Sequence, residues 1–412
     1  MSIVRSPVRS VVRSPVQSVF GGASLLEQAT SALGNVAPYH YLDFINNRAL
    51  YAGADVGNVT GATGYSFTRA SDGYYTNSDG TLTNFGSGAL RRGDRGVLIE
   101  GSRTNLLLYS QDFAQANWAL DNSGAVNPVV TANYGAAPDG TMTADRIQLN
   151  KTGGTFCRIQ QSLTGLTSGN YTASVWMRTI SGTANVGLRN DSTGINCVVT
   201  TTWQRFSVTI GPATVAGVQI LLFDSIPGND ETADILAWGA QLELGGFVSS
   251  PIPTTSASVT RAADVLTYTA GVSYPLQLFA EFERVVDTGN DEYLVHVVNS
   301  GTERAFIAVN ATDNAVTGQI VTAGNTGTTT SVGTVPVGAT RKIAGRIALN
   351  NTQVALAGTV GTADATADLP ANPTLLRVGA FDDTLRHPFG YIRRVAIVQG
   401  AGTDANLTAM TS

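Results

Sequence analysis

The chain has 412 residues, more than a single hydrophobic core usually serves, so two or three domains are expected. Charged residues are 13% of the chain, about half the share in an average soluble domain, and glycine reaches 45 residues, a composition typical of short strands and tight turns. The formal charge of −5 offers no basic field for nucleic acid, and no apolar run approaches the roughly 20 residues of a membrane span.

The first twenty residues contain a tandem repeat built on Arg-Ser-Pro-Val. Each proline fixes φ and pushes the preceding serine toward extended backbone, so the repeat predicts an extended peptide without a core of its own. One interpretation is a solvated tail. The other is an arm that docks on a neighbouring protein subunit, where Arg5, Arg9 and Arg13 would meet carboxylates.

One short helix is predicted directly after the arm. Ser24 and Glu27 form a capping-box pattern, an apolar stripe follows, and Gly34 is a suitable stop. We expect this to be the only helix of any length. Residues 1–40 are therefore predicted to comprise the extended basic arm and the helix.

The rest of the chain predicts an all-β protein. Residues 41–105 alternate short apolar stretches with Asp, Asn and Gly turns, which indicates a small β connector region. Residues 106–263 and 264–412 show period-2 strands with one apolar face, typical of two antiparallel sheets packed as a sandwich or jelly roll. The predicted fold is tandem antiparallel β-sandwiches of jelly-roll type, preceded by the extended arm and one short helix.

Motifs for catalysis or metal binding are missing from the sequence. The three histidines and two cysteines have neither HExxH nor CxxC spacing, so no metal or cofactor is expected. Glu281 and Glu283 stand two apart on one strand face, and paired carboxylates of this kind serve glycoside cleavage. A solvated strand face explains them as well, and we expect no enzyme. Cys157 and Cys197 could pair or remain buried thiols.

The tryptophans give the best candidate for a binding surface. All four lie in the middle block, and alternation places Trp176 on the same strand face as three polar residues, Thr172, Ser174 and Arg178. Sugars stack their C–H faces on aromatic rings, so this face would bind glycans if it were exposed. These four residues are the candidate glycan-binding set, and core packing is the alternative for the tryptophan.

Several segments are long enough to be distinctive: FTRAS at residues 67–71, GVLIEGSRTNLLLYS at 96–110, and DF at 112–113 before Trp118. Together they resemble the recurrent core of the phage head spike or head fibre domain family, also found in tail-fibre-like virion proteins. WGAQLELG at residues 238–245 and TRAAD at 260–264 resemble the close of a carbohydrate-binding-module jelly roll in those proteins. The C-terminal block, through LRVG at 376–379 and GYIRRVAI at 390–397, is similar to concanavalin A-like or laminin-G-like sandwiches.

The resemblance implies a location on the surface of a virus particle. It implies a capsid-attached spike or fibre that binds host-surface polysaccharide, with the arm docked on a capsid or other virion protein. Fibres often sit on threefold or sixfold positions, so a homo-oligomer is expected, with a trimer favoured. The alternatives are a tail fibre or baseplate adhesion protein, a structural decoration protein without a ligand, and a polysaccharide depolymerase.

Overall fold

The computed structural model describes residues 23–124, 126–322, 326–328, 331–382 and 386–412. The predicted anchoring arm, with Arg5, Arg9 and Arg13, lies outside these residues.

The described chain is almost entirely β. Its first part contains α1 (Leu25–Ala32), β1 (His40–Asp43), β2 (Arg48–Tyr51), β3 (Ala54–Gly57), a 3₁₀ helix (Val59–Gly61), β4 (Ser66–Thr68), β5 (Gly73–Thr76), β6 (Leu82–Phe85), β7 (Arg92–Gly93), β8 (Gly96–Ile99) and β9 (Arg103–Asn105). The middle part contains β10 (Ala119–Asn122), β11 (Val126–Gly135), β12 (Ala144–Asn150), β13 (Phe156–Thr179), β14 (Ala184–Asn190), β15 (Thr193–Val199), β16 (Gln204–Phe223) and β17 (Thr232–Leu244). The last part contains β18 (Val259–Arg261), β19 (Val265–Thr269), β20 (Leu276–Glu283), β21 (Glu292–Ser300), β22 (Glu303–Val309), β23 (Ala315–Val321), β24 (Thr326–Thr328), β25 (Val332–Thr334), β26 (Thr340–Ile347), β27 (Gln353–Leu356), β28 (Thr359–Val360), β29 (Leu375–Val378), β30 (Gly390–Gln399) and α2 (Asp404–Thr411). The predicted all-β class is confirmed.

Two antiparallel sheets form what we call the composite sandwich, because both ends of the chain build it. One sheet has the order β28-β27-β26-β20-β30-β1-β2-β3, with β8 also paired to β30, and the facing sheet has the order β24-β23-β22-β21-β29-β19-β4. Alternate side chains of each strand fill the space between them, among them Leu278, Ile307 and Val395. Their burial stabilises the pair of sheets.

The structure divides the chain differently from the prediction. Residues 41–105 are not a separate connector region, because β1 pairs with β30, placing Leu42 opposite Val395, and β4 pairs with β19. These pairings join the two ends of the chain, which local sequence patterns do not report. Residues 106–258 are therefore an insertion in the composite sandwich, and β9 pairs with β18 where the chain leaves and returns.

The insertion is a jelly roll built on two long, bent strands. The first half of β13 pairs with β10 and the second half with β17, while β16 follows β13 along both halves. Register shifts between Thr164 and Tyr171 mark the bend, where bulges let both strands pass from one layer to the other. Side chains of both layers, such as Ile159 and Val175, meet in one core.

Two helices cover the outer face of the larger sheet. Helix α1 begins at the predicted capping box, in which Ser24 N–H donates to Glu27 at 2.6 Å, and Gly34 follows its end at φ +64°. Helix α2 is equally long, so the expectation of a single helix is wrong. Apolar side chains of both helices pack on Phe279 and its neighbours. In the described chain no helix is long and apolar enough to cross a membrane.

The β5–β6 hairpin lies between the jelly roll and the composite sandwich. Successive strand residues point to opposite faces, so Tyr74 packs edge-on against Trp238 of the jelly roll, with ring centroids 5.9 Å apart. Tyr75 packs on Tyr391 of the composite sandwich at 5.2 Å. The hairpin and the jelly roll thus form the two walls of a cleft.

Candidate functional site

The strand face predicted to bind glycans is mostly buried. Trp176 is 6% exposed, Thr172 1% and Ser174 0%, so these three residues cannot present a sugar platform. Alternation did place them opposite the jelly-roll core, but the β5–β6 hairpin and Trp238 cover that face. The prediction is wrong for these residues because the covering hairpin comes from about a hundred positions earlier in the chain.

Arg178, the fourth predicted residue, lines an open cleft of about 650 Å³ between the hairpin and the jelly roll. Its guanidinium carbon lies 5.4 Å from the ring centroid of Trp203, a partly exposed residue in the turn before β16. Among the described residues no carboxylate lies within ion-pair distance of this guanidinium, and its buried Nε has no hydrogen-bond partner. The cleft therefore contains a cation over an aromatic ring, and N–H groups of this guanidinium are available to donate to a ligand.

Two turns of identical sequence, Asp-Gly-Thr, line the cleft on opposite sides. In the hairpin turn Asp79 accepts hydrogen bonds from the backbone N–H and hydroxyl of Thr81, at 2.9 and 2.6 Å. In the jelly-roll turn Asp139 accepts the same pair from Thr141, at 3.0 and 2.6 Å. The side chain of each aspartate thus holds its own turn, as Asx turns do. Each carboxylate keeps lone pairs for a further donor.

The turns are positioned by contacts across the cleft. The Tyr74 hydroxyl donates to Asp139 at 3.0 Å, and the Leu82 N–H donates to the Pro138 carbonyl at 3.0 Å. The indole N–H of Trp203 donates to the Ala136 carbonyl at 3.2 Å, and the residue lines the cleft. An aromatic wall, a guanidinium, two carboxylates and threonine hydroxyls together match the donors, acceptors and C–H faces of a sugar.

Sequence reasoning found one residue of this cleft and missed the others. Each Asp-Gly-Thr segment is a turn signal in the sequence, but nothing local indicates that the two turns face one another. Trp203 lies just before a strand, so no alternation pattern assigned it to a face.

The acid pair considered for glycoside cleavage lies on the outer face of the composite sandwich, within a group of arginines. Glu281 is 2.5 Å from Arg394 and 3.1 Å from Arg393, and Glu283 pairs with Arg95. The two glutamates are on one face, as predicted, and neither lines the cleft. Both carboxylates are therefore held in ion pairs on this face.

The histidines, cysteines and acidic residues in the described part of the chain form neither a metal cluster nor a disulfide. There, no group of three or more His, Cys, Asp or Glu side chains is placed to hold a metal ion. Cys157 and Cys197 are both buried free thiols, and burial raises the pKa of each.

The segments that carry the family resemblance converge on a buried ionic network, which we call the junction network. It joins Asp264 to Arg69 at 3.1 Å and to Arg91, and Glu100 to Arg91 at 2.6 Å and Arg261 at 3.1 Å. Burial alone would raise the pKa of Glu100, but the two arginines and hydrogen bonds from Ser250 lower it to about 2. The network stays ionised and joins the segments at which the chain enters and leaves the jelly roll.

No family model matches the chain, and no curated protein matches it. Among solved structures it is similar to domain 4 of a GH43 extracellular arabinanase from Geobacillus stearothermophilus in complex with arabinotriose, at 10% identity and a TM-score of 0.33, over 40% of this chain and 82% of that chain. It is also similar to a sialidase CBM40 of Ruminococcus gnavus bound to α2,6-sialyllactose, at 13% identity and a TM-score of 0.29, over 34% and 85%. A third similar structure is that of domains LG4-5 of the mouse laminin α1 chain, at 12% identity and a TM-score of 0.25, over 74% of this chain and 91% of that chain. These likenesses are too weak to assign a ligand.

Proposed function

We propose that the protein is a non-enzymatic structural protein of a phage particle surface, and that its cleft between the β5–β6 hairpin and the jelly roll binds a host-surface glycan. Arg178 carries the binding proposal, because its guanidinium has no carboxylate partner and lies over Trp203 in an open cleft of about 650 Å³. Its buried Nε has no hydrogen-bond partner, so a ligand that offers acceptors in the cleft would complete its hydrogen bonds.

The cleft supplies each contact that a sugar needs. The ring of Trp203 offers an apolar face to the sugar C–H groups, Arg178 donates to ring or hydroxyl oxygens, and Asp79 and Asp139 accept from hydroxyls. A single shallow cleft of this size binds one short glycan weakly. A homo-oligomer, with a trimer favoured, and many copies on one particle would raise the overall affinity through multivalency.

Trp203→Ala tests the cleft on an array of bacterial capsule and O-antigen glycans. We expect the full-length protein to bind a subset of them, and the variant to lose about tenfold or more in affinity because the stacking wall is gone. Phe156→Ala is the matched control, since Arg158 also lies over that ring, at 4.7 Å, but is paired with Asp121 at 2.6 Å. Equal loss in both variants, or no binding by the native protein, would refute the proposal.

The virion location is tested by electron microscopy of purified particles with an antibody against residues 264–412. Label over the head supports a capsid-attached spike, label at the tail tip supports a tail fibre or baseplate protein, and unlabelled particles refute both. Substitution of Arg5, Arg9 and Arg13 by Ala is expected to remove the label if these arginines anchor the chain. Arg48→Ala, which breaks an exposed pair with Asp55, should leave it unchanged.

The non-enzymatic character is supported by the arginine partners of Glu281 and Glu283. We expect no reducing ends when the protein is incubated with host polysaccharide. Release of reducing ends that disappears in the Glu281→Gln and Glu283→Gln variants would instead identify a depolymerase.

A further inference from the structure

A second pocket, which we call the junction pocket, lies between the jelly roll and the composite sandwich, away from the Trp203 cleft. It encloses about 410 Å³ and is lined by residues of both units, among them Arg103 and Phe247 on one side and Arg386, His387 and Phe389 on the other. All ionisable side chains that line it are arginine or histidine. The wall therefore contains two guanidinium groups and no carboxylate, and the nearest carboxylates are Glu243, 3.9 Å from Arg103, and Asp291, 3.5 Å from Arg386.

The guanidinium of Arg103 lies beside two phenyl rings that contact each other. Its guanidinium carbon lies 4.4 Å from the ring centroid of Phe247 and 5.1 Å from that of Phe389, and the two rings meet edge to face at 4.9 Å. One guanidinium nitrogen donates to the Leu244 carbonyl, while the buried Nε has no hydrogen-bond partner and lies 3.9 Å from the Glu243 carboxylate. The rings thus provide an apolar wall with a fixed cation at its edge.

His387 supplies an acceptor on the opposite wall. Its side chain is 3% exposed, and its Nε2 lies 3.1 Å from the Asp264 carbonyl oxygen, which can only accept, so Nε2 carries the proton. Burial lowers the pKa of His387, so near pH 7 its Nδ1 is an unprotonated acceptor. Nδ1 lies 3.4 Å from the place where a Cβ on Gly101 would stand, so the glycine leaves room beside it.

Arg386 completes the set at the mouth of the pocket. Its side chain is 42% exposed and lies 3.5 Å from the partly exposed carboxylate of Asp291, and one guanidinium nitrogen donates to the Tyr293 hydroxyl at 2.8 Å. Arg386 and Phe389 both have left-handed backbone, at φ +60° and +46°, a conformation that non-glycine residues rarely adopt. The loop thus holds both side chains at the pocket despite this strain.

We propose that the junction pocket binds a sugar residue that carries a carboxylate, such as a hexuronate. Its carboxylate would meet the guanidinium groups of Arg103 and Arg386, its C–H face would lie on Phe247, and one hydroxyl would donate to His387 Nδ1. A simple anion offers no donor to the imidazole and no face to the phenyl ring. This site is independent of the Trp203 cleft and adds a preference for acidic polysaccharide to the proposed function.

The test is a titration of the full-length protein with methyl β-D-glucuronide, followed by NMR or calorimetry. Methyl β-D-glucoside has the same ring without the carboxylate, and acetate has the carboxylate without the ring. We expect each to bind about tenfold more weakly than the glucuronide, since each loses one class of contact. Equal binding of glucoside or acetate, or no saturation by the glucuronide, overturns the proposal.

Two variants separate the contacts. Arg386→Gln is expected to weaken glucuronide binding about tenfold. Arg304→Gln is its matched control, because both arginines lie over the ring of Phe381, Arg386 at 5.0 Å and Arg304 at 5.1 Å, and only Arg386 lines the pocket.

Gly101→Ala keeps the charge of the pocket but puts a methyl group beside His387 Nδ1 and Phe389, and should also weaken glucuronide binding. Glucuronide binding that is unchanged in both pocket variants refutes the site. Trp203→Ala should leave glucuronide binding unchanged, whether or not the Trp203 cleft binds a glycan.

Discussion

His296 is a buried histidine that the fold keeps neutral. It is 2% exposed, stacks on Phe381 with ring centroids 5.5 Å apart, and its Nδ1 lies 3.0 Å from the Phe381 carbonyl. Burial, with the charge of Arg304, lowers the pKa of His296 from 6.5 to about 3. The unfolded chain takes up this proton below pH 6.5 and the folded chain does not. The free energy of unfolding therefore falls as the pH drops from 6.5 toward 3.

We predict that His296→Phe removes this pH dependence. Between pH 7 and pH 4.5 the free energy of unfolding of the native protein should fall by about 2 to 3 kcal/mol relative to that of the variant. Each pH unit below 6.5 lowers the free energy of unfolding of the native protein by about 1.4 kcal/mol through this histidine. Urea denaturation of both proteins across this range measures the difference, in which the titration of other groups cancels. Parallel curves would show that His296 is protonated in the folded state.

Trp176 and Trp203 show how far a sequence reports on single residues. Alternation along β13 correctly separated Val175 from Trp176, because the core face of a strand is encoded every second residue. What covers the other face depends on distant segments, here Tyr74 and Leu82 of the hairpin. Trp176 is therefore buried although its strand neighbours are polar, and the exposed aromatic ring is one that no local pattern singled out.

At the scale of elements, the β5–β6 hairpin joins two units through adjacent tyrosines. The Tyr74 hydroxyl donates to Asp139 in the Trp203 cleft at 3.0 Å. The Tyr75 hydroxyl faces the other way, where it donates to the Gly96 carbonyl at 3.2 Å and accepts from the Arg95 N–H at 2.8 Å. One strand thus holds the wall of the cleft with one face and the composite sandwich with the other.

The two hydroxyls allow a matched pair of variants. Tyr74→Phe releases the Asp139 turn, and we predict a loss of about fivefold in glycan affinity with a stability cost of about 1 kcal/mol. Tyr75→Phe should cost about 1 to 2 kcal/mol in stability and leave glycan affinity unchanged, because its bonds lie outside the cleft. Glycan titration and urea denaturation measure the two effects. If both variants reduced affinity equally, the hairpin would act on the cleft only through general stability.

The two helices differ in how visible they are in the sequence. Helix α1 begins with Ser24 and Glu27, the usual residues of a capping box, and could be predicted from them. Helix α2 uses Thr403 with Asn406, where Glu or Gln is usual, and only Leu407 and Met410 among its larger side chains are apolar and buried. So short and polar a segment becomes helical because the outer face of the sheet offers it a packing surface.

At the scale of the molecule, the junction network explains why the jelly roll can be an insertion. Arg69 follows β4, Glu100 follows β8, and Asp264 precedes β19, so the network joins the points where the chain leaves and re-enters the composite sandwich. The sequence showed these residues as distinctive motifs but could not show that they meet, since Arg69 and Asp264 are 195 positions apart. The strand order of the composite sandwich could not be predicted for the same reason, because it depends on pairing between distant segments.

Asp264 is the member of this network whose loss should matter most, because it is fully buried and pairs with both Arg69 and Arg91. Asp264→Asn keeps the shape of the side chain but leaves two buried guanidinium groups with one carboxylate fewer, at a cost of about 3 to 5 kcal/mol. The substitution weakens the contact between the jelly roll and the composite sandwich. Calorimetry should therefore show one unfolding transition in the native protein and two in the variant, with the jelly roll melting separately. Asp234→Asn is the control, since it breaks a partly exposed pair with Arg146 on the jelly-roll surface and should lower stability far less. A single transition in Asp264→Asn at the native temperature would show that the two units are coupled by the hairpin and not by the ionic network.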